Sequence, residues 1–154
     1  MTRAEEQCAR EVLDVVPAVM RFIRAEMRRH RAAGLSVPQF RTLAFLERSD
    51  GASLGEVAES LGLTAPSACA LIDILEERGM VSRAGSPDDR RRLLLALTPT
   101  GRDALALSRQ ETQKRLSALL AGLDAEETAA VTRAMKALHR VFAVPAKVTS
   151  HGDS

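Results

Sequence analysis

Three adjacent arginines, Arg90, Arg91 and Arg92, follow a polar turn, Ser86-Pro-Asp-Asp89, and precede an apolar run, Leu93-Leu-Leu-Ala-Leu-Thr98. A guanidinium is a permanent planar cation that pairs with phosphate through two parallel hydrogen bonds, so such a cluster at a turn suits a polyanion. Upstream, Thr64-Ala-Pro-Ser67 opens a stretch that continues through Ala70 to Ile74 without a lysine or arginine. Its side chains suit base edges: the Thr64 and Ser67 hydroxyls can exchange hydrogen bonds, and Ala65, Ala70 and the Pro66 ring can pack on thymine methyls. Arg83 stands between the two groups. Helix starts at Ser53 and Thr64 add backbone N–H groups and a positive dipole end, which favour phosphate without any side-chain charge. Because 22 basic residues face 20 acidic ones, for a net charge of only +2, attraction to a polyanion must come from this distribution and not from the total.

The elements that hold these residues are legible from apolar spacing and capping signals. Over 5–32, Val12, Val15, Val16, Val19, Phe22, Ile23 and Met27 recur every three or four positions and form one helical face, which Pro17 should bend. Ser36 with Gln39, and Ser53 with Glu56, have the spacing of capping boxes opening two short helices. Thr64 caps the next helix, with Pro66 in its first turn and Gly79 at its end. The period then shortens to that of strands. Met80 to Ala84 and Leu93 to Thr98 read as a hairpin with the arginines at its tip. Pro99 opens a long helix to about Ala121, and Asp124 with Glu127 caps a last one through Val131, Met135, Leu138 and Phe142.

The expected fold is therefore mainly α: a winged helix-turn-helix with a two-stranded wing, flanked by helices at both ends. Residues 1–144 read as a single domain, with a DNA-binding lobe over 36–98, helical regions over 5–32 and 99–144, and a tail over 145–154 with no reason to be ordered. The valine and leucine stripes of the flanking helices are too large for one small domain to hide and predict a dimerisation layer. Cys8 and Cys69 form neither a disulfide framework nor a zinc site, and His30, His139 and His151 are scattered, with no carboxylate partner expected at helical spacing. No cofactor or metal, and no enzymatic reaction, is expected from these parts. A charged start and the lack of a long apolar run predict a cytoplasmic protein with no membrane partner. Absence of Trp and Tyr argues against stacking platforms for single strands.

The chain resembles the multiple-antibiotic-resistance regulator (MarR) family over nearly its whole length. The resemblance is carried by Pro38-Gln-Phe-Arg-Thr-Leu43, Glu56-Val-Ala-Glu-Ser-Leu-Gly-Leu-Thr64 and Leu71-Ile-Asp-Ile-Leu-Glu-Glu-Arg-Gly-Met-Val81, and above all by Ser86-Pro-Asp-Asp-Arg-Arg-Arg-Leu-Leu-Leu-Ala-Leu-Thr-Pro-Thr-Gly101. The last contains the family's Asp-x-Arg wing, Asp89-Arg90-Arg91, and its Leu-Thr-x-x-Gly strand end, Leu97 to Gly101. What this implies is a homodimeric, ligand-responsive transcription factor, usually a repressor of its own and a neighbouring operon, on a pseudo-palindromic operator of double-stranded DNA. The family often carries lysine or arginine at the positions of Ala65, Ala70 and Ile74. Here anchoring is expected to pass to the wing. Arg91 would enter the minor groove with its guanidinium held by Asp89, while Asp73 is expected to pair within the protein, with Arg41 or Arg48.

The resemblance also implies an effector, a small aromatic or anionic molecule between the helical layer and the DNA lobe, for which Met20, Phe22, Arg24, Met27 and His30 are candidates. An alternative is thiol sensing by Cys8, since the family's peroxide-sensing branch has a reactive cysteine near that position, although the tyrosines which serve it there are missing here. A second alternative is a winged helix that binds protein instead of DNA, which the bare reading helix favours and the arginine wing opposes.

Overall fold

A computed structural model of the chain describes residues 1–89 and 91–143; Arg90 and the tail anticipated over 145–154 lie outside the described residues. Six helices and one hairpin follow in the order α1 (Arg3–His30), α2 (Val37–Arg48), α3 (Leu54–Leu61), α4 (Ala65–Glu77), β1 (Val81–Gly85), β2 (Leu93–Leu97), α5 (Pro99–Leu120) and α6 (Ala125–Phe142), with a short 3-10 turn, Ala32–Gly34, after α1.

Capping fixes where each helix begins. Reciprocal capping boxes form at Ser36/Gln39, Ser53/Glu56 and Asp124/Glu127, as the spacing predicts. A fourth, between Thr2 and Glu5, starts α1 two residues before the expected position. At its other end α1 stops at His30, because Arg31 is left-handed (φ 39°) and its N–H closes on the Met27 carbonyl at 2.8 Å. Helix α1 passes through Pro17 as one continuous element.

The core belongs to the winged-helix lobe. Leu35, Leu43, Leu46, Val57, Ile72, Leu75, Leu95 and Leu105 are buried and pack as one cluster drawn from the α1–α2 connection, α2, α3, α4, β2 and α5. Along α4 the inward positions are Ala68, Ile72 and Leu75, a spacing of four and three that turns the intervening residues outward. Strands β1 and β2 pair antiparallel from Val81↔Leu97 to Gly85↔Leu93. Ala52 adds a minimal third strand, its carbonyl accepting from Leu95 N–H at 2.7 Å while Gly51 N–H donates to the Leu95 carbonyl at 3.1 Å. This bridge, which no spacing in the sequence predicts, ties the α2–α3 connection to the wing.

Outside the lobe the picture reverses. Helix α6 has no buried residue, and Val131, Met135, Val141 and Phe142 lie open on it. Leu13, Val15, Val16, Val19 and Met20 are exposed on α1, as are Leu119 and Leu120 at the end of α5. Among the described residues no single helix is long and apolar enough to cross a membrane.

Candidate nucleic-acid interface

The geometry of the turn between α3 and α4 decides which side chains reach outward. Gly62 takes a left-handed conformation (φ 68°) that closes α3, and two residues later Thr64 caps α4. Thr64 Oγ1 accepts from Ser67 N–H at 3.3 Å and donates to Ser67 Oγ at 2.9 Å. Thr64 is thereby spent within the helix cap. The Ser67 hydroxyl, accepting from Thr64, keeps its own proton for an external acceptor. Ala65, Pro66, Ser67 and Ala70 are all exposed, and Ile74 is 45% exposed one turn further on. The outward face of α4 is thus short side chains and methyl groups, as the sequence predicts.

The two expected helix-start clamps differ. At α3 the Glu56 carboxylate takes the Ser53 N–H at 3.2 Å, placing a negative charge on the end of the helix where phosphate would sit. At α4 the third helical residue is Ser67, and no acidic residue stands in the first turn. Only the second start keeps its positive end uncovered.

At the wing tip the Asp89 carboxylate accepts the backbone N–H of Arg91 at 2.9 Å, and the Asp89 carbonyl accepts that of Arg92 at 3.0 Å. The Arg92 carbonyl in turn accepts Ser86 N–H at 2.8 Å. The expected ion pair between Asp89 and the Arg91 guanidinium is corrected by this arrangement: a carboxylate one residue removed from a tight turn is nearer the turn's N–H than the end of a long side chain. Asp89 shapes the loop, and the Arg91 side chain projects without an ion-pair partner among the described residues. Arg92 leans back to Glu56, Nη2 to Oε1 at 3.4 Å. Arg90 is outside the described residues.

Arg83 and Asp73 depart most from expectation. The Asp73 partner is neither Arg41 nor Arg48 but Arg83, whose Nη2 donates to Asp73 Oδ1 and whose Nε lies 2.5 Å from Glu76 Oε2. Burial works to lower the Arg83 pKa; the hydrogen bond to Asp73 and the charges of Glu76 and Asp73 outweigh it and hold the guanidinium above its ordinary range. The two-residue period of a strand puts Arg83 on the same face as the apolar, buried Val81, so its face was legible in the sequence while its partner was not. Nearby, Arg78 at the end of α4 donates to the carbonyls of Ala33 at 2.9 Å and Gly34 at 3.1 Å, locking the α1–α2 turn to the reading helix.

The five effector candidates do not converge. Met27 is buried and, with His30, borders a shallow cleft whose other walls are Glu26, Ala32, Ser108, Glu111, Thr112 and Arg115. Glu26 is the hub there, 3.5 Å from Arg115 Nε and 3.3 Å from His30 Nε2 four residues on, which corrects the expectation that His30 has no carboxylate partner. Met20 and Arg24 are exposed and Phe22 half-buried, outside the cleft. Cys8 is exposed on α1; Cys69 is half-buried, its Sγ 3.8 Å from Asp73 Oδ2. No group of three or more His, Cys, Asp or Glu among the described residues could hold a metal.

Comparison with known proteins agrees with this geometry. The model of the MarR family matches residues 33–92, the span from the α1–α2 turn to the wing tip. The HTH-type transcriptional regulator YdgJ of Bacillus subtilis is 30% identical over 94 residues, which cover 61% of this chain and 57% of that protein. Among solved structures, the transcriptional repressor CouR bound to a 23-mer DNA duplex is 30% identical, with a TM-score of 0.61 over 81% of this chain and 88% of that one. RV1404 from Mycobacterium tuberculosis, at 21% identity, shares the fold with a TM-score of 0.71 over 94% of this chain and 98% of its own. With its winged-helix lobe matched by the family model and a DNA-bound repressor 30% identical over most of its length, this chain belongs to the MarR family of transcriptional regulators, with that family's DNA-binding winged-helix fold.

Proposed function

We propose that the protein is a homodimeric, sequence-specific repressor of its own and a neighbouring operon, released from a pseudo-palindromic operator by a small aromatic or anionic effector. The observation that carries DNA binding is that one lobe has both an Arg91 side chain free of ion pairs among the described residues and an exposed α4 face made of Ala65, Pro66, Ser67 and Ala70. Cation and reading surface are separated: the wing supplies attraction to phosphate, and α4 supplies shape, methyl contacts and one free hydroxyl proton. Two copies would present two such surfaces about one helical turn apart. The chain spans little more than half the length of YdgJ.

This division of labour has a direct test. Arg91→Ala should weaken binding roughly tenfold on operator and scrambled duplex alike, and should flatten log K against log salt by about one unit for each phosphate no longer neutralised. Ser67→Ala should leave that slope unchanged and relax base preference at one position in each half-site, by about 1 kcal/mol and no more than about 3. Fluorescence anisotropy on the DNA upstream of the gene, at several salt concentrations, reads both effects. A wing variant with wild-type affinity and slope would move the anchor elsewhere, to the basic run Arg28-Arg-His-Arg31.

For the signal, a substituted benzoate should weaken operator binding, with Cys8→Ser leaving both binding and its relief unchanged. Hydroperoxide that releases DNA from the wild type but not from Cys8→Ser would make the thiol the sensor instead.

A further inference from the structure

Helix α4 carries three carboxylates, Asp73, Glu76 and Glu77, and no lysine or arginine from Ala65 to Glu77. The next cation, Arg78, is turned toward the α1–α2 carbonyls. Asp73 and Glu76 are nevertheless well exposed, with side chains 59% and 46% accessible, while the Arg83 guanidinium they share is at 25%. One cation against two anions leaves this flank of the helix negative. A helix meant only to hold DNA tightly would not be built this way, because a carboxylate near phosphate repels it over a Debye length of about 10 Å at 0.1 M salt.

We propose that Asp73 and Glu76 limit the protein's sequence-independent affinity for DNA by withholding Arg83: they keep its guanidinium off the phosphate backbone and leave the flank of α4 net negative. The proposal rests on the DNA-binding reading above. Its physical basis is that binding to arbitrary sequence is almost wholly electrostatic, whereas binding to the correct site adds contacts to base edges. A fixed electrostatic penalty therefore falls on both, and only the correct site can offset it. Arg83, in the strand leading into the wing, is a positioning residue here: it anchors β1 to α4 and makes no contact with DNA.

The distinguishing experiment uses the full chain and two labelled duplexes, one from upstream of its gene and one scrambled. D73N/E76Q frees Arg83, and should bind scrambled duplex about tenfold tighter, with log K against log salt steeper by about one unit per protomer. Affinity for the upstream duplex should rise by a similar factor, because the penalty removed falls on both. Adding Arg83→Gln to that pair removes all three charges and should return affinity to the wild-type level or slightly above it. If Arg83 instead touched phosphate in the wild type, the triple variant would bind more weakly than the wild type and D73N/E76Q would gain little; either result overturns the proposal. Both acidic residues are exposed and their amides isosteric, and thermal melting of each variant checks that the fold is intact. A wild type that binds neither duplex in a salt-dependent way would overturn the DNA-binding reading and this proposal together, whereas binding without a gain in D73N/E76Q would overturn this one alone.

Discussion

Gly101→Ala should destabilise the protein by about 3–5 kcal/mol, more than the removal of any surface ion pair, although it adds a single methyl group. The cause is a close approach of two segments that cannot separate. A Cβ on Gly101 would stand 2.2 Å from the Met80 carbonyl oxygen and 2.7 Å from Leu97 Cδ1. Movement of α5 away from that carbonyl is opposed by two bonds across the joint, Thr98 N–H to the Met80 carbonyl at 3.1 Å and Thr98 Oγ1 to the Gly79 carbonyl at 2.6 Å, and by the cap that ties Gly101 N–H to Thr98 Oγ1 at 3.1 Å. Relief therefore breaks either the helix cap or its attachment to the end of α4. A melting temperature lower by roughly 10 °C is expected for a chain of this size. Gly55→Ala is the control, since its added Cβ would meet nothing nearer than Ser53 Oγ at 3.9 Å and should be neutral or stabilise slightly. Equal melting temperatures for Gly101→Ala and the wild type would show that the α5 joint yields easily.

Removing residues 124–154 should have an equally large effect, this time on assembly. Helix α6 has an apolar face with no buried member, and the exposed valines and leucines of α1 and α5 add to it. Burial of a Val, Leu or Met side chain is worth about 1.5–3 kcal/mol, so a face of this size covered by a second copy stabilises a dimer strongly. The truncated chain should sediment as a monomer or aggregate, and lose operator binding by a factor of about a hundred or more, because one protomer keeps only one half-site. The winged-helix core lies outside the deletion, so helical content over the lobe should persist in circular dichroism. A truncated protein that remains dimeric and binds its operator normally would place the dimer interface away from α6.

Much of this architecture is written locally and was legible for that reason. A capping box needs only two residues three apart, which is why Ser36/Gln39, Ser53/Glu56 and Asp124/Glu127 mark true helix starts. Exposure of the face from Ala65 to Ala70 follows from the three-and-four spacing of Ala68, Ile72 and Leu75. What local spacing does not contain is contact across elements. Asp73 finds Arg83 ten residues on because a strand folds back along α4, and Arg78 reaches Ala33 across 45 residues. Ala52 joins the sheet as a one-residue bridge, too short to leave a period. The effector candidates fail to gather for a related reason: a stripe read from helix period alone mixes Met27, which faces α5, with Arg24, which faces solvent.

The abrupt turn between α3 and α4 governs how such a protein can diversify. With Gly62 left-handed and Thr64 already capping, only Leu63 stands between the end of one helix and the cap of the next. One residue inserted early in α4 would rotate everything beyond it by about 100°, turning outward positions toward the core and expelling Ile72 and Leu75. New binding preferences must therefore arise by exchange of outward side chains at fixed spacing. The tip of the wing, where Ser86 to Arg92 closes on itself through its own backbone bonds, is free of that constraint. Within one lobe, α4 is an alphabet with a fixed line length, and the wing is the margin in which length itself can change.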